Sequence, residues 1–344
     1  LMWSLDKWRE NPGNPITEVT QCRQQAALFD FSFMSRARVT GVGARQLVNN
    51  FVSRDISDMR GNRVTYCLRL NHQGYVTSDL TVWKLEGDGY EVMSGNADDI
   101  AALMSQQGPD CSIDDLSDSH SVFAVQGPES LLRLARLADL ERLFRLEYFE
   151  FCDLHIADCP VRVVRLGYTG ERGFELLVRR SDAQVLWCLL TQAFPVASYA
   201  AMDILRIEAG FILYCNECSI DATPIEMGLA QFAGDDTDQN LNSGLKLACF
   251  TARHRERPVL WQHPQSNPPH PTRGEIVVTS ACFSPLSQTI LGLGYIHTEA
   301  VTAGTALVDP LGEFDQIALC ERSFFDPSKR VARGHWSGEY RPLY

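Results

Sequence analysis

The sequence contains no apolar run close to the ~18 residues that a membrane-spanning helix needs. It also lacks any excess of positive charge: 31 Lys and Arg stand against 43 Asp and Glu, for a formal net charge of -12. That balance argues against nucleic acid or an anionic membrane as the main partner, while leaving room for a local basic pocket. The opening residues Leu1-Met2-Trp3-Ser4-Leu5-Asp6-Lys7 lack the apolar core of a secretory signal, and Leu1 reads as a remnant ahead of a natural start at Met2. There is no GxxxxGK[ST], GxSxG or HExxH, so P-loop, esterase-elbow and zinc-peptidase chemistry have no footing. Gly41-Val42-Gly43 follows a strand-like run, but Gln46 stands where a dinucleotide fingerprint needs its third glycine.

Cysteine is not scarce, but it is not organised either. The 11 cysteines are odd in number and lie in apolar segments such as Trp187-Cys188-Leu189. This is free-thiol usage in a reducing compartment, with the cytoplasm as the default location. Cys215-Asn216-Glu217-Cys218 is the one close pair, and the 8 histidines offer it no ligand spacing. No metal site is expected there, and ordinary buried thiols account for it.

At 344 residues with 45% hydrophobic content, the chain has room for about two domains and a normal core. Ala37 to Gly41 reads as a strand, and Ala44 to Val52 as a helix burying Leu47, Val48 and Phe51. The same strand–glycine–helix pattern returns at Phe123 to Gly127, with a helix from Glu129 to about Leu137. Gly41 and Gly127 thus mark a faint internal repeat. Between them Val64 to Leu68, Tyr75 to Trp83 and Tyr90 to Ser94 form an antiparallel meander. Helices are expected over Asp182 to Phe194 and Tyr199 to Ala209, the second stopped by Gly210. Thr223, Pro224 and Glu226 form a capping box that predicts a further helix start. The polar stretch Gly234 to Asn240 is the best domain boundary. Beyond it come strand-like runs at Leu245 to Arg253, Gly274 to Val278, Ile290 to Ile296, Ala306 to Val308 and Ile317 to Cys320, with a Pro-rich loop from His263 to Pro271. The expected class is α+β, with an all-β C-terminal module.

Two segments carry candidate chemistry. Val161 to Val164 and Phe174 to Val178 flank a bend with glycines at 167, 170 and 173, and read as a hairpin. Its glycines either satisfy backbone geometry alone, or leave room for a ring whose N–H groups Glu175 would accept. Asp79 is the one acid between Arg69 and Trp83. It is either a solvated residue on a polar strand face with Thr77 and Thr81, or a functional carboxylate. Asp203 and Arg206 are placed for an i, i+3 ion pair, which alone reads as structural.

Taken in order, these pieces resemble the aminomethyltransferase (GcvT) family, which spans the glycine-cleavage T-protein, folate-dependent demethylases and the folate-binding domains of dimethylglycine and sarcosine dehydrogenases. The resemblance rests on Leu28-Phe29-Asp30-Phe31-Ser32-Phe33-Met34, on Gly167-Tyr168-Thr169-Gly170-Glu171-Arg172-Gly173-Phe174-Glu175, and on Leu205-Arg206-Ile207-Glu208-Ala209-Gly210. It continues through Leu213-Tyr214, Thr223-Pro224, Glu226, Gly228-Leu229, Thr279 to Pro285 and Leu291 to Tyr295, covering about residues 20 to 310.

What the resemblance implies is a three-lobed fold around a tetrahydrofolate pocket, with residues 1–234 as a folate-binding region of two intertwined lobes and 245–344 as a β-barrel-like domain. By motif position, Asp79 is the central catalytic acid. Glu175 hydrogen-bonds the pterin, Asn96 lies near the ring, Met34, Tyr66 and Tyr168 line the pocket, and Arg206 belongs to the arginine-helix motif. The implied activity is transfer of a methyl or aminomethyl group from a small donor to N5 of tetrahydrofolate. The alternative is a non-catalytic folate-binding protein that supports iron–sulfur cluster maturation. Some positions depart from the family. Gly74 to Asp79 carries one acid rather than two, Met202-Asp203 replaces Arg-Asp, and Gln231 replaces a tryptophan. These count against a lipoyl carrier protein as partner. Phe211 to Cys215 lacks the Lys-Gly-Cys of the iron–sulfur branch, which counts against the alternative.

Overall fold

A computed structural model of the chain describes residues 13–234, 244–299 and 306–336. The expected boundary at 234–240 and the N-terminal heptapeptide lie outside the described residues, apart from Gly234 itself. Among the described residues, three five-stranded sheets organise the chain. The first sheet runs in the order β3 (Arg63–Leu70), β4 (Val76–Lys84), β5 (Tyr90–Ser94), β2 (Ser35–Thr40), β6 (Ser112–Asp115). The second runs β1 (Ala27–Asp30), β7 (His120–Gln126), β10 (Gly173–Arg179), β9 (Cys159–Val164), β8 (Phe151–Ile156). The path of the described strands therefore starts in the second sheet, completes the first, and returns. The third sheet, β12 (Leu260–Gln262), β13 (Ile276–Ser284), β14 (Thr289–His297), β11 (Leu245–His254), β15 (Phe314–Cys320), is an all-β C-terminal unit. Mixed sheet and helix followed by this unit make the α+β class expected from the sequence.

The inner strands explain themselves by composition. In β10 the segment Gly-Phe-Glu-Leu-Leu-Val is buried throughout, and β7 is buried from Ser121 to Gln126. Apolar continuity without alternation marks strands covered on both faces. β9 and β10 pair antiparallel with Glu175 opposite Val164, so the glycine-rich segment is the bend of a hairpin. Both repeat glycines take left-handed backbone, with φ of 110° at Gly41 and 124° at Gly127. Each turns a strand into a helix, Ala44–Phe51 and Ser130–Leu134 respectively.

Two helices lie at the centre, Pro15–Gln24 and Tyr199–Glu208. The second is buried from Ala201 to Glu208, polar residues included. One apolar cluster joins Val64 and Leu68 of the first sheet, Phe29 and Leu177 of the second, Leu247 and Tyr295 of the third, and Ile204 and Ile207 of this helix. None of the helices among the described residues is long and apolar enough to cross a membrane.

Two expected elements shrink. The capping box at Thr223 forms, with Thr223 N donating to Glu226 Oε2 at 2.8 Å and Glu226 N to Thr223 Oγ1 at 3.3 Å. Only one turn follows, because Gly228 enters left-handed backbone at φ 67° and ends it. The strand-like run from Ala306 to Val308 yields only the bridge from Val308 to Glu275. Short apolar runs without a partner register do not become strands.

A Cβ at Gly127 would sit 2.5 Å from Cys22 O and 2.6 Å from Gln25 O, in addition to the unfavourable φ. Gly127→Ala is expected to cost roughly 3 kcal/mol in urea unfolding, whereas Gly312→Ala, which meets nothing within 4 Å, should cost only about 1 kcal/mol.

Candidate functional site

The three sheets and the central helix leave a cavity of about 1070 Å³ between them. From the first sheet, β4 turns Asp79 and Thr81 towards it, two residues apart and therefore on one strand face. Tyr66 lies on the neighbouring β3 and donates its hydroxyl to Asp79 Oδ2 at 2.9 Å. From the second sheet come Glu175 on β10 and Tyr168 in the hairpin bend. Met34, just after β1, borders the same space. Tyr168 stacks on Phe211 with ring centroids 5.8 Å apart and planes at 17°. Its hydroxyl donates to Ile212 O. Tyr66 meets Phe232 edge-on at 4.8 Å. These walls are thus aromatic, with the carboxylates of Asp79 and Glu175 set into them.

The carboxylates differ in their surroundings. Asp79 is half-buried at the cavity wall, and desolvation there pushes its pKa up to about 6. The Tyr66 hydrogen bond opposes that rise by favouring the ionised form, while the charges of Asp99 and Glu217 add to it. Asp99 lies behind the strand, held by Ser78, Ser94 and Arg69. Glu175 is 4% exposed, and burial alone pushes its pKa up to about 8. Among the described residues no side chain or backbone group hydrogen-bonds its carboxylate. An acid buried this deeply without a partner is costly, and its open hydrogen-bonding capacity faces the cavity.

Arg206 and Asn96, expected at the site from the motif positions, are not brought to the cavity wall. Arg206 is fully buried and donates from Nε to Asp203 Oδ1 at 2.6 Å, from Nη1 to Glu217 Oε2 at 2.9 Å and from Nη2 to Ser280 Oγ at 2.8 Å. Burial works against its charge, but the two carboxylates outweigh it and its pKa is raised. Each of its three nitrogens is committed to holding elements together. Asn96 is the N-cap of the helix Ala97–Met104, and its Oδ1 accepts from Asp98 N at 3.1 Å. Its neighbour Gly95 lines the cavity instead. A helix start leaves unpaired N–H groups, and an Asn in that position is drawn to them. Cys215 and Cys218 lie on a short turn of helix, and no metal-binding cluster occurs among the described residues.

One wall has no counterpart in the expectations. Residues 321–336 fold back over the cavity and contribute Arg322, Ser323, Phe325 and Lys329 to its lining. Trp336 stacks on Phe174 at 5.3 Å, with the Arg165 guanidinium 5.3 Å from its ring. Arg172 Nε donates to Val331 O at 3.0 Å. The segment is therefore clamped to the same sheet that carries Glu175. Arg322 is spent on backbone, donating to Gly210 O and Met227 O. Desolvation, with Arg322 nearby, pulls Lys329 down to about 8. Ser323 Oγ is buried without a partner among the described residues. No motif in Arg322 to Lys329 signals a wall, because its place depends on contacts to residues about 150 positions earlier in the chain, such as Arg172–Val331 (159 positions apart). Phe211 was findable, as the residue directly after the helix-stopping Gly210.

With this geometry in place, comparison with known proteins is specific. The family model described as the GCVT N-terminal domain matches residues 10–236. The chain is 31% identical over 314 residues to an aminomethyltransferase of Streptomyces avermitilis, covering 86% of this chain and 84% of that protein. It is 30% identical over 318 residues to an aminomethyltransferase of Porphyromonas gingivalis, covering 86% of each. In fold it is similar to the crystal structure of glycine cleavage system aminomethyltransferase T from Bartonella henselae, with a TM-score of 0.67 at 23% identity over 84% of this chain and 82% of that one.

The pKa of Glu175 gives a pH test. Its folded-state value near 8 lies above the ordinary 4.5, so the folded protein holds an extra proton between those limits. The associated stability is complete below about pH 4.5 and is lost as pH rises through about 8. Glu175→Gln removes this term. Its unfolding free energy, measured against the parent by urea titration, should gain ~1–3 kcal/mol between pH 5 and pH 9. A difference that stays constant across that range would show that the carboxyl is ionised in the folded protein throughout.

Proposed function

Since the chain belongs to the GcvT aminomethyltransferase family, we propose that it is a tetrahydrofolate-dependent transferase that moves a methyl or aminomethyl group from a small donor to N5 of the folate. The observation that carries this reading is that the unpartnered Glu175 and the Tyr66–Asp79 pair border one aromatic cavity. The residues fit the group. The amino-pyrimidine edge of a pterin presents adjacent N–H donors, and a buried carboxylate with both oxygens free accepts two of them. The thioether of Met34 and the rings of Tyr168 and Phe211 suit a flat heterocycle. Bound tetrahydrofolate supplies the nucleophilic nitrogen that accepts the one-carbon group.

The chain's own residues do the rest. Glu175 sets the orientation of the ring and gives up its proton as the pterin's donors replace the water it lacks. Asp79, largely ionised at neutral pH with a pKa near 6, holds negative charge where positive charge develops during transfer. Tyr66 fixes the Asp79 carboxylate in one orientation. The apolar walls and the folded-back segment exclude water from the reacting centre. The departures at Gly74 to Asp79, Met202 and Gln231 favour a free small-molecule donor over a lipoyl carrier protein. The rival reading, folate binding without catalysis in support of iron–sulfur maturation, uses Glu175 but leaves the Tyr66–Asp79 arrangement without a task.

Calorimetric titration with 5-formyltetrahydrofolate and a turnover assay over methylated amines, sulfonium compounds and methyl ethers separate these readings. Glu175→Gln should weaken binding about 10- to 100-fold by losing charge-assisted hydrogen bonds. Binding by the parent should also weaken as pH falls from 8 to 6, because Glu175 must ionise, and the variant should lose that dependence. Asp79→Ala should lower turnover by roughly 10²-fold or more with a smaller effect on binding. Absence of folate binding, or full turnover in Asp79→Ala, defeats the proposal.

A further inference from the structure

Outside the carboxylates, the wall of the cavity holds one close pair of nucleophilic atoms. Cys249 on β11 and Cys320 at the end of β15 lie directly opposite each other in the antiparallel register, and both line the cavity. Their sulfurs share a hydrogen bond at 3.4 Å. The sequence gives no hint of the pair, since 71 positions separate the two. Opposed residues of an antiparallel ladder have Cα atoms about 4.5–5.5 Å apart, inside the ~4.4–6.8 Å that a disulfide spans. Closing the sulfurs to about 2.05 Å needs only a small shift. β15 is the edge strand of its sheet, bonded on one side only, so it is free to make that shift. Cys249 is 1% exposed, whereas Cys320 is half-buried. The shared hydrogen bond lowers the pKa of Cys320 and raises that of Cys249. One sulfur is therefore reachable and activated, and the other is shielded beside it.

We propose that Cys249 and Cys320 form an oxidisable dithiol site that a small hydroperoxide closes to a disulfide, altering the cavity wall. The Cys320 thiolate attacks one peroxide oxygen, the O–O bond breaks, and alcohol or water leaves, giving a sulfenic acid. The Cys249 sulfur then attacks the Cys320 sulfur. The S–S bond forms, the S–O bond breaks, and water leaves with the Cys249 proton. Two thiols lose two electrons and the peroxide gains them. Glu321 and Arg322, which follow Cys320 directly, also line the cavity, so movement of the edge strand reaches the ligand space.

The linkage can be tested without reference to the ligand. The reduced full chain is treated with hydrogen peroxide, alkylated, digested and read by mass spectrometry. The expected product is a peptide joining Cys249 to Cys320, 2 Da lighter than the two thiol peptides and restored by dithiothreitol. It should be absent in both Cys320→Ser and Cys249→Ser, while the buried neighbour change Cys282→Ser leaves it intact. Terminal oxidation of Cys320 to a sulfinic acid without linkage, or linkage spread over other cysteines, overturns the proposal. The effect on the cavity rests on the folate reading and is measured by titrating 5-formyltetrahydrofolate into both forms. The dissociation constant should rise at least threefold on oxidation and recover on reduction. An unchanged constant removes the coupling to the cavity. If neither form binds folate but the linkage forms, the folate reading falls and the dithiol site stands.

Discussion

Two buried arginines hold the centre of this protein, and the cavity exists because of where they hold it. Arg206 joins Asp203 on its own helix to Glu217 and to Ser280 of β13. Arg23, on the other central helix, reaches Glu208 at 2.9 Å and Glu171 at 3.1 Å. Glu208 passes the connection on to Ser284 at 2.6 Å, and Glu217 to Thr279 at 2.8 Å. The helix Tyr199–Glu208 is thereby tied to the second sheet on one side and the third on the other. Burying charges of this kind contributes little net stability, because desolvation consumes most of the Coulomb gain. Its consequence is geometric. A displaced helix would leave an unpaired charge in a dry interior, which costs far more than an apolar mismatch.

From that fixed helix the rest of the site follows. Its first residue, Tyr199, and the chain leaving its end, Gly210 to Tyr214, all border the cavity. Phe211 reaches Tyr168 from there, so the hairpin bend and the helix end share an aromatic wall. The interior acids then divide by partner. Glu91, Glu171, Glu208 and Glu217 are each matched to arginine. Glu175, nearly as buried, has none among the described residues, and Asp79 has the Tyr66 hydroxyl and a backbone N–H but no arginine. A fold that gives each of its other buried glutamates an arginine or, for Glu226, the Thr223 hydroxyl and N–H, and leaves this one open, places the cost of an unmatched charge where a hydrogen-bonding ligand relieves it.

The same contrast separates the residues that hold the site from those that face it. Arg206 and Asn96 carry the chemistry a ligand pocket uses, yet their hydrogen bonds go to Asp203, Glu217, Ser280 and Asp98. The folded-back segment Glu321 to Trp336 has little sequence character, yet it closes one side of the cavity through Arg165, Arg172 and Phe174.

By itself the sequence determined the local elements and the identity of the chemical groups. Apolar runs, glycine bends and caps marked β7, β9, β10 and the central helix, since these depend on neighbours within a few positions. The lone acid of β4 and the acid after the glycine bend stood out for the same reason. Tertiary structure alone decided which polar residues are spent on one another and which remain free. Whether Arg206 meets a ligand or Ser280 depended on how the sheets close around it, and whether the segment from 321 to 336 walls the cavity depended on its reaching Arg172. Such outcomes are set by contacts between residues tens to more than a hundred positions apart, and local pattern carries no record of them.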